Sequence, residues 1–286
     1  MGSLVLAYPM FKELSGKYLQ ASIAERRAGI HSYTQEGLYR GSFINRPVMY
    51  NPYQYHSLQF LTLVEAIESH SYPTAKRLVT EPVQPMPRIA FRPGKVEAMR
   101  ERVQRDFPGI ASRRLVLVYL SGGILPIRAW PMDYYQQLCR SLLDDGHAIG
   151  VVGLPSNKSC ARAVIEHCSN RPCADFTGYM KSVRGLLALF ELAELLVTND
   201  GGPRQFSVLT AIPTIVFYGP ETPQLHGPRG NNAIINYLPL SCSPCLTAYN
   251  HRGSPCDGDN QCLKRILPDS VYAQAREILA ADQRPR

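Results

Sequence analysis

Residues Leu195–Pro223 read LLVTNDGGPRQFSVLTAIPTIVFYGPETP. Leu195–Thr198 predicts a short buried strand, and Asn199-Asp200-Gly201-Gly202-Pro203 an acidic, glycine-rich turn that opens a helix. Thr214–Tyr218 predicts a second buried strand, closed by the turn Gly219-Pro220-Glu221-Thr222-Pro223. This order sets two loops side by side at the C-terminal ends of parallel strands, where open α/β sheets bind ligands. The first turn offers backbone N–H groups and a helix dipole to an anion, with a nucleoside diphosphate the foremost candidate. Taken alone, the same residues are equally a plain turn with a helix N-cap.

Outward from this stretch, strands and helices alternate. Arg114–Leu120, His147–Val152 and Ala233–Tyr237 read as further strands, and Pro131–Asp145, Asn157–Ser169 and Lys181–Leu192 as helices. The alternation argues for a doubly wound parallel sheet. The first part is less regular. Leu4–Tyr8 reads as the end of a strand entering a helix at Phe11–Leu19, and Tyr53–Ser69 as a helix. Glu81–Arg92, with its prolines, reads as an extended connector and Gly94–Asp106 as a charged helix. Pro108 and Gly109 mark a break, so the expected division is residues 1–110 and 111–286.

The 286 residues suffice for one large or two ordinary domains, and the formal charge is +8. No apolar run is long enough to span a bilayer. Met1–Tyr8 lacks the basic lead and small-residue cleavage site of a secretory signal, so a cytoplasmic protein is expected. The basic residues form no stripe interleaved with aromatics, which argues against nucleic acid as a partner. The excess suits an anionic substrate or peripheral contact with the inner membrane surface, and equally a merely basic surface. No G-x-G-x-x-G follows a strand, which disfavours a dinucleotide oxidoreductase.

Four motifs occur in order: SGGILPIRAWP (121–131), TNDGGP (198–203), YGPETP (218–223) and CSPC (242–245). Together they resemble glycosyltransferase family 9, the heptosyltransferase-type enzymes of bacterial surface polysaccharides. In the first part, Gly2–Pro9 resembles the family's first βα turn, and Gly37–Gly41 and Tyr50–Tyr53 its later segments; elements expected between Ile23 and Gly29 are missing. The resemblance implies a GT-B fold, α/β with two Rossmann-like domains, the N-terminal one shortened. It implies transfer of a sugar, heptose or related, from a nucleoside-diphosphate donor to a lipopolysaccharide-type saccharide or glycolipid acceptor, with no cofactor for the chemistry. The alternative is a non-catalytic nucleotide-sugar-binding relative or fragment.

The resemblance also assigns residues. Ser121 and Gly122 sit beside the donor, and Arg128 matches the family's basic position, where a guanidinium would stabilise a leaving diphosphate. Asp200, Gly201, Gly202 and Pro203 form the donor turn. From the residues alone, Glu221 and Thr222 in the neighbouring loop are placed to meet the sugar or the base, and equally to form only a proline-stiffened turn. Thr177-Gly178 matches a family turn near the nucleotide. Two positions depart from the pattern. Gln205 stands where the family carries a His, with Arg204 beside it as a substitute charge. Ser3 stands where heptosyltransferases carry an Asp, so the general base is unassigned, with Ser3, Glu36 and His56 as candidates.

Cys242, Cys245, Cys256 and Cys262 form the last constellation. Four thiols at this spacing can close a structural zinc site, with His251 a spare ligand. Redox-active or buried thiols, or disulfides, are the alternatives. Cys139, Cys160, Cys168 and Cys173 lack such spacing and read as packing or surface thiols.

Overall fold

The computed structural model describes residues 5–6, 25–32, 39, 41–69, 87–169, 171–229, 232–247, 250 and 253–281. The chain divides into two compact units. The first comprises Met1–Val83, Gln224–His226 and Cys245–Pro255; the second comprises Gln84–Pro223, Gly227–Pro244 and Cys256–Arg286.

In the first unit, β1 (Val5–Leu6), β2 (Arg27–Ile30) and β3 (Arg46–Val48) form a parallel sheet in that order. The helix α1 (His56–Glu68) covers it, and Ala28, Ile30, Val48, Leu63 and Ala66 make the core. Pro47 is tolerated because β3 is an edge strand, where a missing N–H costs no ladder bond. The helix expected at 11–19 lies outside the described residues.

The second unit begins with α2 (Lys95–Asp106), followed by β4 (Leu115–Tyr119), α3 (Met132–Asp144), β5 (Ala148–Gly153) and α4 (Lys158–His167). Next come β6 (Cys173–Thr177), α5 (Val183–Phe190), β7 (Leu195–Asn199), α6 (Gly202–Ser207) and β8 (Thr214–Tyr218). After α7 (Pro223–His226), whose last residues belong to the first unit, come β9 (Ala233–Tyr237), α8 (Gln261–Lys264) and α9 (Pro268–Ala281). The six strands of this unit are all parallel, in the order β6-β5-β4-β7-β8-β9.

Alternation along the strands sorts two cores. Val116, Val118, Ile149, Val151, Leu195, Val197, Ile215 and Phe217 face α3, α4, α8 and α9. Leu115, Leu117, Tyr119, Ala148, Phe176 and Leu196 face the other way, onto α2 and α5. Period-two alternation with both faces apolar is what a sheet covered on both sides requires. Gly150 leaves a gap in β5 that its neighbours fill: a methyl group there would sit 2.7 Å from the Phe176 ring and 2.8 Å from Leu117. Cys139 is fully buried in the first of these cores, and burial pushes its thiol well above the usual range.

The helix α2 is tied to the loop after β6. Tyr179 donates its hydroxyl to Asp106 at 2.7 Å, and the Arg102 guanidinium lies 3.9 Å over the Tyr179 ring. Burial first, and the Asp106 bond second, raise the Tyr179 hydroxyl to about 12. Thus α2 packs with the second unit, ahead of the break at Pro108 and Gly109.

Candidate functional site

The strand order reverses between β4 and β7. The chain builds outward from β4 through β5 to β6, then returns to β4's other side and builds through β7 and β8 to β9. Loops on the two sides of such a switch part and leave a crevice at the strands' C-terminal ends. Tyr119 pairs with Thr198 at the last rung, so Ser121-Gly122-Gly123 and Asn199-Asp200-Gly201 leave the sheet side by side.

Asn199 fastens these loops together. Its side-chain oxygen accepts the Trp130 N–H at 2.8 Å, and its amide donates to the carbonyls of Ser121 at 3.2 Å and Tyr119 at 3.4 Å. The amide is fully buried, so each bond counts against an unsatisfied polar atom. Gly122 lets the first loop fold tightly: a Cβ there would lie 2.4 Å from the Leu125 carbonyl oxygen. Gly123 takes φ +69°, and its N–H donates to the Ser121 hydroxyl at 3.0 Å.

Arg128 closes a short turn, Pro126–Arg128, and reaches back over this loop. A methyl group at Gly123 would lie 3.6 Å from its Nη2. Its Nη1 is 3.6 Å from the Asp200 carboxylate, and its buried Nε makes no hydrogen bond. Arg204 lies on α6. Its Nη2 donates to Asp200 Oδ1 at 3.3 Å, and its guanidinium lies 5.8 Å from the Tyr218 ring centre. Asp200 is thus shared by two guanidiniums, and these three groups sum to +1.

In this geometry Asp200 pairs with two arginines. Arg204 points inward, with its side chain 1% exposed. Gln205 is exposed. The helix α6 has six residues, so its dipole is smaller than the turn sequence promised. Gly201, Gly202 and Pro203 form its start, and Glu221 is buried in the neighbouring loop with Thr222 beside it. Thr177 and Gly178 lie at the end of β6, two strands from β4.

The C-terminal segment braces both loops. Asn260 donates to the Ile127 carbonyl at 2.8 Å, next to Arg128. Leu263 and Cys262 pack so closely under Gly219 that a Cβ there would meet them at 2.7 and 2.9 Å. The four cysteines of the zinc expectation are divided between the units, Cys245 in the first and Cys242, Cys256 and Cys262 in the second. Cys262 lies in the core, Cys245 accepts a hydrogen bond from Ser254, and Cys242 and Cys256 are exposed. Among the described residues, no three of His, Cys, Asp and Glu are placed to hold a metal ion; His251 lies outside them. Packing and hydrogen bonds brace the loops.

Of the three candidate bases, Ser3 and Glu36 lie outside the described residues. His56 opens α1, its ring 5.2 Å from Phe60 and 5.0 Å from His226. The sequence reading missed His226, Asn199, Tyr119 and Asn260. Only Asn199, inside the quoted turn, carried a signal.

The family described as glycosyltransferase family 9 (heptosyltransferase) matches residues 74–254. This chain belongs to glycosyltransferase family 9. It is similar to lipopolysaccharide heptosyltransferase 2 of Escherichia coli (strain K12), 21% identical over 180 residues, which are 61% of this chain and 49% of that protein. The chain therefore matches about half the length of that curated relative. Among solved structures, E. coli ADP-heptose lps heptosyltransferase II superposes with TM-score 0.70 at 16% identity, over 95% of this chain and 75% of that one. E. coli heptosyltransferase WaaC with ADP gives TM-score 0.53 at 19% identity, over 92% and 70%. The fold of this family 9 member is the GT-B type. Among its described residues, no helix is long and apolar enough to cross a membrane.

Proposed function

We propose that this family 9 chain binds a nucleoside-diphosphate sugar at the β4–β7 switch and transfers the sugar to a hydroxyl of a lipopolysaccharide-type acceptor in the cytoplasm. The observation that carries the reading is Arg128. Its guanidinium is held over a tight Gly-Gly loop by a shared carboxylate, with a buried Nε–H still to be used. In the transfer, the acceptor oxygen bonds to the sugar's anomeric carbon as the bond to the diphosphate oxygen breaks. The leaving oxygens gain charge as the electron pair departs, and a fixed guanidinium favours that state over the bound donor. The acceptor proton goes to a base, for which His56 is the described candidate. ADP-heptose is the donor suggested by the structures that superpose, and no metal is called on.

A second reading, donor binding without turnover, is favoured by Gln205, an exposed amide where the family carries a His. Incubating the full chain with labelled ADP-heptose and heptose-deficient lipopolysaccharide core separates them. Transfer of label is expected, with loss in His56→Gln. Donor binding with no label transferred would support the second reading.

A further inference from the structure

A second feature lies away from the donor loops. On the face covered by α2 and α5, the seam between these helices opens into a cavity of about 610 Å³. Four of its lining side chains are cations: Arg92, Lys95, Arg102 and Arg184. Among the described residues, no carboxylate lines it. The floor is apolar, made by Phe91, Met99 and alanines of both helices.

Two of the cations are held in place by main-chain oxygens: Arg102 Nη2 donates to the Tyr179 carbonyl and Arg184 Nη1 to the Ala90 carbonyl, each at 3.3 Å. Arg92 and Lys95 stand exposed at the rim. Four like charges around one apolar trough repel one another unless an anion fills the gap. Asp106, 3.8 Å from Arg102 Nε, partly offsets one of these charges and leaves Arg92, Lys95 and Arg184 as the main positive field of the lining.

We propose that this groove seats phosphate headgroups of an anionic lipid surface, with the first carbons of the lipid against Phe91 and Met99. A single free phosphate is a poor match. The cations lie mostly at the surface, where each separate ion pair is worth little. A surface carrying many phosphates instead gathers a similar contribution from every cation near it. The apolar floor has no use for a bare phosphate but suits the glycerol and first methylenes of a lipid. The inference is independent of the transferase reading, since it uses none of the donor-loop residues.

The test is co-sedimentation of the full chain with vesicles of phosphatidylcholine alone and of phosphatidylcholine with about a third phosphatidylglycerol. Binding to the anionic vesicles only is expected, weakening as salt rises. The double variant Arg92→Glu/Lys95→Glu, on exposed positions, should lose on the order of thirtyfold or more in affinity. The control Lys158→Glu/Arg162→Glu carries the same charge change on α4, on the opposite face of the sheet, and should lose about threefold or less by the same reckoning. Equal loss in the control would overturn the proposal, as would equal binding to neutral vesicles. Release of the chain from anionic vesicles by inorganic phosphate, but not by chloride of equal ionic strength, would also overturn it in favour of a phosphate pocket.

Discussion

Replacing Asp200 by Ala is expected to cost about 3–5 kcal/mol of unfolding free energy, because it leaves buried guanidiniums without their counter-charge. The magnitude rests on Arg204, whose side chain is 1% exposed and whose ion pair is to Asp200. Arg128, 15% exposed, can recover part of its hydration and contributes less. The sign can be checked by removing the stranded charge. Arg204→Met in the Asp200→Ala background replaces a buried ion pair by apolar groups, which is often near neutral, so the double variant should regain more than half of the loss. Urea denaturation of the four members of this cycle measures the coupling. If the two substitutions simply add, Arg204 and Asp200 do not depend on each other and the shared-carboxylate arrangement is wrong.

The second large effect is expected at Trp130, the chain's single tryptophan. Its ring is 1% exposed, stacks on Phe217 with centroids 4.5 Å apart, and donates its indole N–H to the Ile266 carbonyl at 2.9 Å. Trp130→Ala removes a large buried ring and should cost about 3–5 kcal/mol. It also strands the Ile266 carbonyl at the junction of α8 and α9. Trp130→Phe keeps most of the packing and loses the hydrogen bond, so a loss of about 1–2 kcal/mol is expected. Denaturation followed by circular dichroism reads both. Equal losses in the two variants would mean that the hydrogen bond, not the packing, carries the stability. Because the Trp130 backbone N–H bonds to Asn199, this core residue also sets the distance between the two loops of the site.

The fold was legible where burial on both faces made strands apolar throughout. Leu115–Tyr119, Thr214–Tyr218 and the strand at Leu195 are such runs, and the helices between them show clear apolar spacing. The edge strand Cys173–Thr177 was missed because it pairs on one side only and carries Asp175, whose carboxylate accepts from the Thr177 N–H and hydroxyl. The helix Pro268–Ala281 was also missed, although Val271, Ala275 and Leu279 mark its buried stripe and Pro268 its start. In the site, the motifs located the loops, but not what their residues do there. That Asp200 serves two arginines, and that Asn199 bonds across about 80 residues of chain, are long-range pairings with no local spacing to betray them. For the cysteines, sequence spacing suggested one metal site but carried no sign that Cys262 packs into the core.

The most direct test of the donor site is calorimetric titration of the full chain and its Arg128→Ala variant with ADP, UDP, GDP and CDP. At least one nucleoside diphosphate should bind the native chain. The variant should bind it about 10- to 100-fold more weakly, as expected for one charged hydrogen bond, with its melting temperature little changed because Asp200 keeps Arg204. Absence of binding to all four, or equal affinity in the variant, would contradict the assignment of Arg128 and the β4–β7 loops as a diphosphate cradle.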